Sequence, residues 1–321
     1  MRVVIPEDYQ RVVQSLECFQ LLDGFEVRVY HDHASDLEVL VERFADADAL
    51  VLTRERTRID AELLARLPNL KLISQTGRVG PHLDLQACRE RGVTVAEGTG
   101  SPIAAAELTW ALILNARRQL REAMNGLYAG RWQVNLGQRL YGQTLGIWGY
   151  GKIGQRLARY ARAFDMRVLV WGSEASRQTA VADGHEAAQT REAFFEQADV
   201  LSLHLRLVPA TRYCVGAADL ARMKPDALLV NTSRAELIAP GALLEALDRG
   251  RPGQAALDVF EQEPILQTDH PLLAHPRILC TPHLGYVEKH SYEAYFGEAF
   301  ANVRKFLKNQ SAEIDRDPAA N

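Results

Sequence analysis

The chain has 321 residues, 47% of them hydrophobic and 24% charged, with a formal net charge of −4. That is the composition of a soluble globular protein, and the length exceeds one ordinary domain, so two are expected. The small negative balance leaves no electrostatic footprint for nucleic acid or an anionic membrane, and no apolar run approaches the ~18 residues of a spanning helix.

The N-terminal MRVVIPEDYQ reads as the start of a strand rather than a signal peptide. Short apolar runs at 3–5, 25–30, 49–52, 70–74 and 93–96 predict strands, and amphipathic segments at 8–22, 37–45, 61–67 and 85–91 predict helices between them. Asp36, Asp60 and Asp84 stand where helix N-caps belong. Such alternation implies a parallel sheet with helices on both faces, flavodoxin-like in shape. Residues 103–130 form one long helical stretch, apolar nearly all round in its first half and therefore buried, either as a link between domains or as a subunit contact. A second alternating series follows over 142–286. Its strands are expected at 145–148, 167–171, 200–205, 227–231, 254–259 and 278–281, with helices at 155–164, 191–197, 217–223 and 240–249. This is a complete Rossmann-type domain. The segment 292–307 reads as an amphipathic helix, and the polar 309–321 as a frayed end.

The fold class is thus α/β with two Rossmann-like domains. A discontinuous flavodoxin-like substrate domain (1–102 with 288–321) and a dinucleotide-binding domain (103–287) would flank an interdomain cleft. Cys18, Cys88, Cys214 and Cys280 are scattered, with no C-x-x-C pair and no histidine clustering. A reduced, cytoplasmic protein without a metal site is expected.

The most informative stretch is 144–171, TLGIWGYGKIGQRLARYARAFDMRVLVW. Gly149, Gly151 and Gly154 are spaced G-x-G-x-x-G between a strand and a helix, and a second strand closes the unit. That context makes the pattern a dinucleotide-binding fingerprint. Gly149 allows the tight turn, Gly151 lets pyrophosphate approach the backbone, and Gly154 lets the helix pack against the sheet, with phosphates at the helix's positive end. The acidic residue expected after the second strand is missing: Gly172 and Ser173 stand there, with Glu174 and Arg177 beyond.

Ligands of doubly wound sheets bind beyond the C-terminal strand ends. Four groups lie there. Arg234 ends NTSR after the 227–231 strand and offers a planar fork suited to a carboxylate; the alternative is a solvated arginine. Glu261 and Glu263 follow the 254–259 strand, and His283, a side chain that titrates near neutrality, lies in TPHLGY. In the N-terminal domain, Arg54 and Arg56 follow one strand. The loop QTGRVGPHLD follows the next, where the backbone N–H groups of Gly77 and Gly80, with the Arg78 guanidinium, could hold a carboxylate.

Taken together, AAAELTWALIL at 104–114, GIWGYGKIG at 146–154, LHLRLVPATR at 203–212, MKPDALLVNTSR at 223–234, ALDVFEQEP at 256–264 and TPHLGY at 281–286 resemble the D-isomer-specific 2-hydroxyacid dehydrogenase family. The resemblance implies that Arg234 binds the substrate carboxylate and polarises the 2-oxo group. It implies that His283 exchanges a proton with the hydroxyl and that Glu263 orients the His283 ring. It places the dinucleotide along Gly149, Tyr150, Gly151, Lys152, Ile153 and Gly154, along Gly172, Ser173 and Arg177, and along His204, Leu205 and Arg206. Thr232, Asp258 (on the nicotinamide carboxamide) and Gly285 complete that set. Strand-end position, rather than the resemblance, gives substrate contacts to Arg54, Arg78, Val79 and Gly80, and the 77–80 loop is idiosyncratic for the family. A homodimer paired through the helix at 103–125 is also implied. The sequence departs from the family at Gly172, often aspartate, and at Arg206, often proline. Without the aspartate a 2′-phosphate meets no repulsion, so NADP(H) on Ser173, Arg177 and Arg206 stands beside NAD(H) with Glu174 on the ribose. The expected reaction is hydride transfer between a small 2-hydroxy or 2-oxo acid and the cofactor. Two other readings keep the fold: a formate or phosphite dehydrogenase, against which Glu263 argues, and a nucleotide-sensing corepressor or scaffold.

Overall fold

A computed structural model describes residues 1–314, with side chains through Asn309. The chain divides into two compact units, one comprising Met1–Ser101 and the chain from Glu288 onward, the other Pro102–Val287.

The first unit runs β1 (Arg2–Ile5), β2 (Glu26–Val29), α1 (Leu37–Phe44), β3 (Ala49–Leu52), α2 (Ala61–Ala65), β4 (Leu72–Gln75), α3 (Leu85–Glu90) and β5 (Thr94–Ala96). Asp36, Asp60 and Asp84 each cap a helix, accepting backbone N–H groups of the first turn. The five strands are all parallel in the order β2-β1-β3-β4-β5. The segment 8–22 is not the α-helix its pattern suggests. Glu7 and Arg11 adopt positive φ, and the buried Asp8 carboxylate takes the N–H groups of Val12 and Val13. Only two 3-10 turns remain, Val13–Ser15 and Glu17–Leu22. A side chain competing for local N–H groups displaces the helix ladder.

The second unit continues with α4 (Ile103–Arg118), α5 (Leu120–Tyr128), β6 (Thr144–Trp148), α6 (Lys152–Ala163), β7 (Arg167–Trp171), α7 (Glu174–Ala182), β8 (Glu186–Ala187), α8 (Arg191–Gln197) and β9 (Val200–Leu203). It closes with α9 (Ala217–Arg222), β10 (Leu228–Asn231), α10 (Ala242–Asp248), β11 (Gln254–Leu257), α11 (Pro271–Ala274) and β12 (Ile278–Cys280). Its seven parallel strands are ordered β12-β11-β10-β9-β6-β7-β8. The chain reverses its direction of growth between β6 and β9, which places the topological switch point beside the glycine turn. β6, β9 and β10 are buried along their whole length, as strands covered on both faces must be.

The long stretch 103–130 is two helices rather than one. Gln119 stands in the left-handed region at φ +50°, and α4 ends before it. α7 and β8 were not expected; EASRQTAVA has no continuous apolar stripe, and Ser173 starts α7 by accepting the Ser176 N–H. In the first unit, α12 (Lys289–Ile314) starts earlier than 292 and includes part of the segment expected to fray; the rest of 309–321 lies outside the described residues. Its Tyr292, Tyr295, Phe296 and Phe300 are buried against the sheet, and Ser74 Oγ donates to the Ala299 carbonyl at 2.9 Å.

Arg117, on α4, is 2% exposed. Its guanidinium donates to the Asp226 carbonyl at 2.6 Å, the Gln143 amide oxygen at 2.8 Å and the Asp199 carbonyl at 3.1 Å, tying the helix to three loops at the N-terminal edge of the sheet. Arg117→Met fills similar volume but takes the guanidinium from the Asp226 carbonyl and the Gln143 amide oxygen, so it should lower the unfolding free energy by about 2–4 kcal/mol in urea titrations; an unchanged midpoint would show the staple to be dispensable.

Candidate active site

The glycine turn leaves β6 through Gly149, held at φ +102°. A Cβ at Gly149 would stand 2.4 Å from the His204 carbonyl oxygen, and one at Gly154 would stand 2.3 Å from the Gly149 carbonyl oxygen. Both positions therefore exclude a side chain. A Cβ at Gly151 would meet nothing within 4 Å. This is the pattern a pyrophosphate needs: two glycines squeezed by backbone, and one that keeps space open at the start of α6. Ile153 packs into the core beneath, Lys152 is exposed, and Tyr150 donates its hydroxyl to Asp183 Oδ2 at 2.9 Å, fastening the turn to the end of α7. Burial and that hydrogen bond push the Tyr150 phenol far up, so it stays protonated.

At the end of β7, Gly172 adopts φ +150°. An aspartate there would be strained, which gives a physical reason for its absence. Ser173 Oγ serves the α7 cap. The Arg177 guanidinium lies over the Trp171 ring at 4.9 Å, and its buried Nε has no hydrogen-bond partner. Glu174 accepts from the Gln178 amide instead. Across the switch point, His204, Leu205 and Arg206 follow β9. Desolvation pushes the His204 imidazole down to about 3, so it stays neutral, with Nε2 bonded to Ser202 Oγ at 2.8 Å. Arg206 is exposed.

Beyond β10, Asn231 folds the NTSR turn on itself. Its Oδ1 accepts the Ser233 N–H at 3.0 Å and its Nδ2 donates to the Arg234 carbonyl at 2.8 Å. Half-buried Arg234 is set by that turn. Thr232 Oγ1 lies 2.7 Å from Thr109 Oγ1 of α4.

Beyond β11 and β12 the two remaining loops meet. Asp258 is fully buried; Oδ1 accepts from Thr281 Oγ1 and the Leu284 N–H, both at 2.7 Å, and Oδ2 accepts the Gly285 N–H at 2.9 Å. Burial pushes its carboxyl above the usual range, opposed by those hydrogen bonds and by the charge of His283. Three converging donors are the environment of an anion. Between these anchors His283 adopts φ +52°. Its Nδ1 lies 2.6 Å from Glu263 Oε2, while Glu263 Oε1 accepts the Phe260 N–H at 2.9 Å. A carboxylate on Nδ1 fixes the ring and leaves Nε2 as the proton-exchanging nitrogen. The Tyr286 ring packs edge-on against the imidazole at 5.3 Å.

The family model for the D-isomer specific 2-hydroxyacid dehydrogenase NAD-binding domain matches residues 110–285. The chain belongs to that family. Members of the family exchange a hydride between a nicotinamide cofactor, NAD(H), and a 2-hydroxy or 2-oxo acid. A crystal structure of a phosphoglycerate oxidoreductase from Vibrio cholerae is 56% identical, covers 96% of this chain and 99% of that one, and superposes with a TM-score of 0.94. A glyoxylate reductase of Aeropyrum pernix is 38% identical across 77% of this chain and 76% of its own length. A D-3-phosphoglycerate dehydrogenase of Methanocaldococcus jannaschii is 35% identical across 86% of this chain, which spans only 53% of that relative.

In this member of the 2-hydroxyacid dehydrogenase family, Arg234, Glu263, His283, Asp258 and the glycine turn all lie at the C-terminal edge of the seven-stranded sheet. Arg54, Arg78, Val79 and Gly80 lie at the C-terminal edge of the other. There one backbone N–H of the loop is already engaged, and Gly80 has a close neighbour. Val79 already donates to Glu97 Oε1 at 2.9 Å, and a Cβ at Gly80 would stand 2.9 Å from Glu55 Oε1. Arg78 is exposed. Thr109 and Asp183 escaped the sequence reading because each lies outside any strand-end loop of its motif.

Gly151→Val should leave thermal stability unchanged, since its Cβ meets open space, yet weaken NADH binding at least about tenfold in fluorescence titrations. Unchanged affinity would show that the space does not belong to the cofactor.

Proposed function

We propose that this chain reduces a small 2-oxo acid to the D-2-hydroxy acid, with the reverse oxidation at the same site. The observation that carries the reading is the Glu263–His283 pair, 2.6 Å apart and locked from both sides, on the same sheet edge as Arg234 and the glycine turn. When bound, the cofactor supplies the hydride at nicotinamide C4. Arg234 presents parallel N–H donors to the substrate carboxylate and polarises the 2-oxo oxygen. His283 Nε2 gives that oxygen a proton as C2 becomes tetrahedral, and takes it back in the oxidative direction. Glu263 keeps Nδ1 as the donor nitrogen and stabilises the ring in its charged form during the reaction. Asp258 serves the loop first, and the remaining lone-pair position on Oδ2 is the one a carboxamide N–H would use. In the first unit we assign substrate contacts to Arg54, Arg78, Val79 and Gly80.

The end of β7 supports acceptance of NADP(H) beside NAD(H). Gly172 brings no carboxylate, and Arg177 has an unpartnered Nε beside the Ser173 cap. A cytoplasmic location fits the lack, among the described residues, of a helix long and apolar enough to cross a membrane. For a homodimer, the support is an exposed apolar run in α5 and the segment after it: Leu127 is 55% exposed, Tyr128 81% and Trp132 78%. Patches of this kind mark protein contacts, and a second copy is the partner we assign.

Glyoxylate, hydroxypyruvate, pyruvate and bulkier 2-oxo acids, each assayed with NADH and NADPH, test the reaction; tight cofactor binding with no turnover would favour a nucleotide-sensing scaffold. His283→Ala should lower kcat at least about a hundredfold while NADH affinity stays within threefold, and an active variant would remove the proton-exchange role. In light scattering, Leu127→Glu should shift the protein towards monomer; a mass unchanged by it would move the contact elsewhere.

A further inference from the structure

Arg54 lies two residues past β3 in the left-handed backbone region, at φ +53°, where a side-chain-bearing residue is strained. Its backbone is gripped from both sides by residues at the end of β4. The Thr76 hydroxyl accepts the Arg54 N–H at 2.8 Å and donates to the Leu52 carbonyl at 2.8 Å. The Gln75 side chain donates from Nε2 to the Arg54 carbonyl at 2.6 Å. Gln75 and Thr76 are 0% and 1% exposed, so these contacts are shielded from water. The guanidinium then lies across Gly77, where a Cβ would stand 2.0 Å from Nη1, and Nη1 donates to the Thr76 carbonyl at 3.3 Å. Arg54 Cζ stands 5.6 Å from the centroid of the buried Tyr295 ring.

The polarity of the next contact is dictated by this one. Because Gln75 Nε2 faces a carbonyl, Oε1 is the atom that faces His82 Nε2 at 3.2 Å. An acceptor there requires the proton on His82 Nε2 and leaves Nδ1 bare. Nδ1 is buried with no hydrogen-bond partner, and desolvation pushes the imidazole pKa down, so the ring is held neutral as a donor to Gln75. His82 to Gln75 to the Arg54 carbonyl is thus a directed chain of hydrogen bonds ending on the strained residue.

We propose that Gln75 and His82 are positioning residues for Arg54, holding its backbone so that the guanidinium is a preformed receptor for an anionic group of the 2-oxo acid. This rests on the assignment of Arg54 to the substrate made above. A receptor already rigid before binding loses little freedom when the anion arrives, so its disruption raises KM and leaves the hydride step alone. His82→Gln places an amide donor at about the reach of Nε2 and lacks only the unused Nδ1.

The test is steady-state kinetics with NADH and the best 2-oxo acid of the panel, on wild type, Arg54→Ala, His82→Leu, His82→Gln and the His82→Leu/Arg54→Ala double variant. Arg54→Ala should raise KM most. His82→Leu should raise KM about tenfold with kcat within twofold and NADH affinity unchanged, His82→Gln should recover to within threefold, and His82→Leu should add nothing once Arg54 is gone. Additive effects in the double variant, or a wild-type KM in His82→Leu while Arg54→Ala raises it, would overturn the positioning role. A wild-type KM in Arg54→Ala would instead overturn the assignment of Arg54 to the substrate, and the relay with it. Gln75→Met, of similar volume and unable to donate, reads the same relay if His82→Leu does not fold.

Discussion

Asp258 stands one residue past β11, with no exposed surface, and its carboxylate takes the N–H groups of Leu284 and Gly285 together with the Thr281 hydroxyl. Those three donors bracket His283. A single anion therefore clamps the loop after β12 to the loop after β11, and the histidine between the clamped points is driven to φ +52°. Strain of that kind persists only where its surroundings over-determine it. Here they do, and the result is an imidazole delivered to Glu263 at 2.6 Å. Glu263 is in turn held by the Phe260 N–H, so neither partner of the pair depends on the other for its place.

The rest of the second unit follows from parallel strands opening at one edge. β11 pairs with β10 and β12, so Arg234, Asp258 and His283 emerge as neighbours in the sheet although their sequence separation is large. The same rule brings Gly149 beneath the His204 carbonyl across the β6/β9 switch point. Polar chemistry is confined to one edge. At the other edge, Arg117 does structural work by donating to the Asp226 and Asp199 carbonyls of two turns. The first unit repeats the logic on a smaller scale, with Arg54 and the 77–80 loop beyond β3 and β4.

Much of this was legible in the residues. Strong apolar runs such as 145–148 and 227–231 announce buried strands, and the caps at Asp36, Asp60 and Asp84 mark helix starts that the structure reproduces. The segment 8–22 carries a helical period, but periodicity gives no notice of a buried Asp8 pulling Val12 and Val13 out of register. Gln119 breaks α4 from α5 without proline or glycine to signal it. At the site, strand-end position made Arg234, Glu261, Glu263 and His283 candidates, and the family resemblance chose Arg234, Glu263 and His283 among them. What they did not show was who holds whom: that Asp258 is spent on the His283 loop, that Val79 already gives its N–H to Glu97, and that Thr109 reaches Thr232 from a helix more than a hundred residues away. Long-range pairings of side chains with backbone are properties of the packed chain, and no local pattern encodes them.

The most direct measurement of whether the Asp258 clamp organises proton transfer is rapid-mixing of Asp258→Asn, loaded with NADH, against a 2-oxo acid. The isosteric amide places N–H against N–H at one of the clamped donors, so the loop should release His283. The predicted result, at saturating NADH, is hydride transfer slowed at least about a hundredfold, with the denaturation midpoint of the sheet largely retained. Transfer at the wild-type rate by a folded, NADH-bound Asp258→Asn protein would contradict the account.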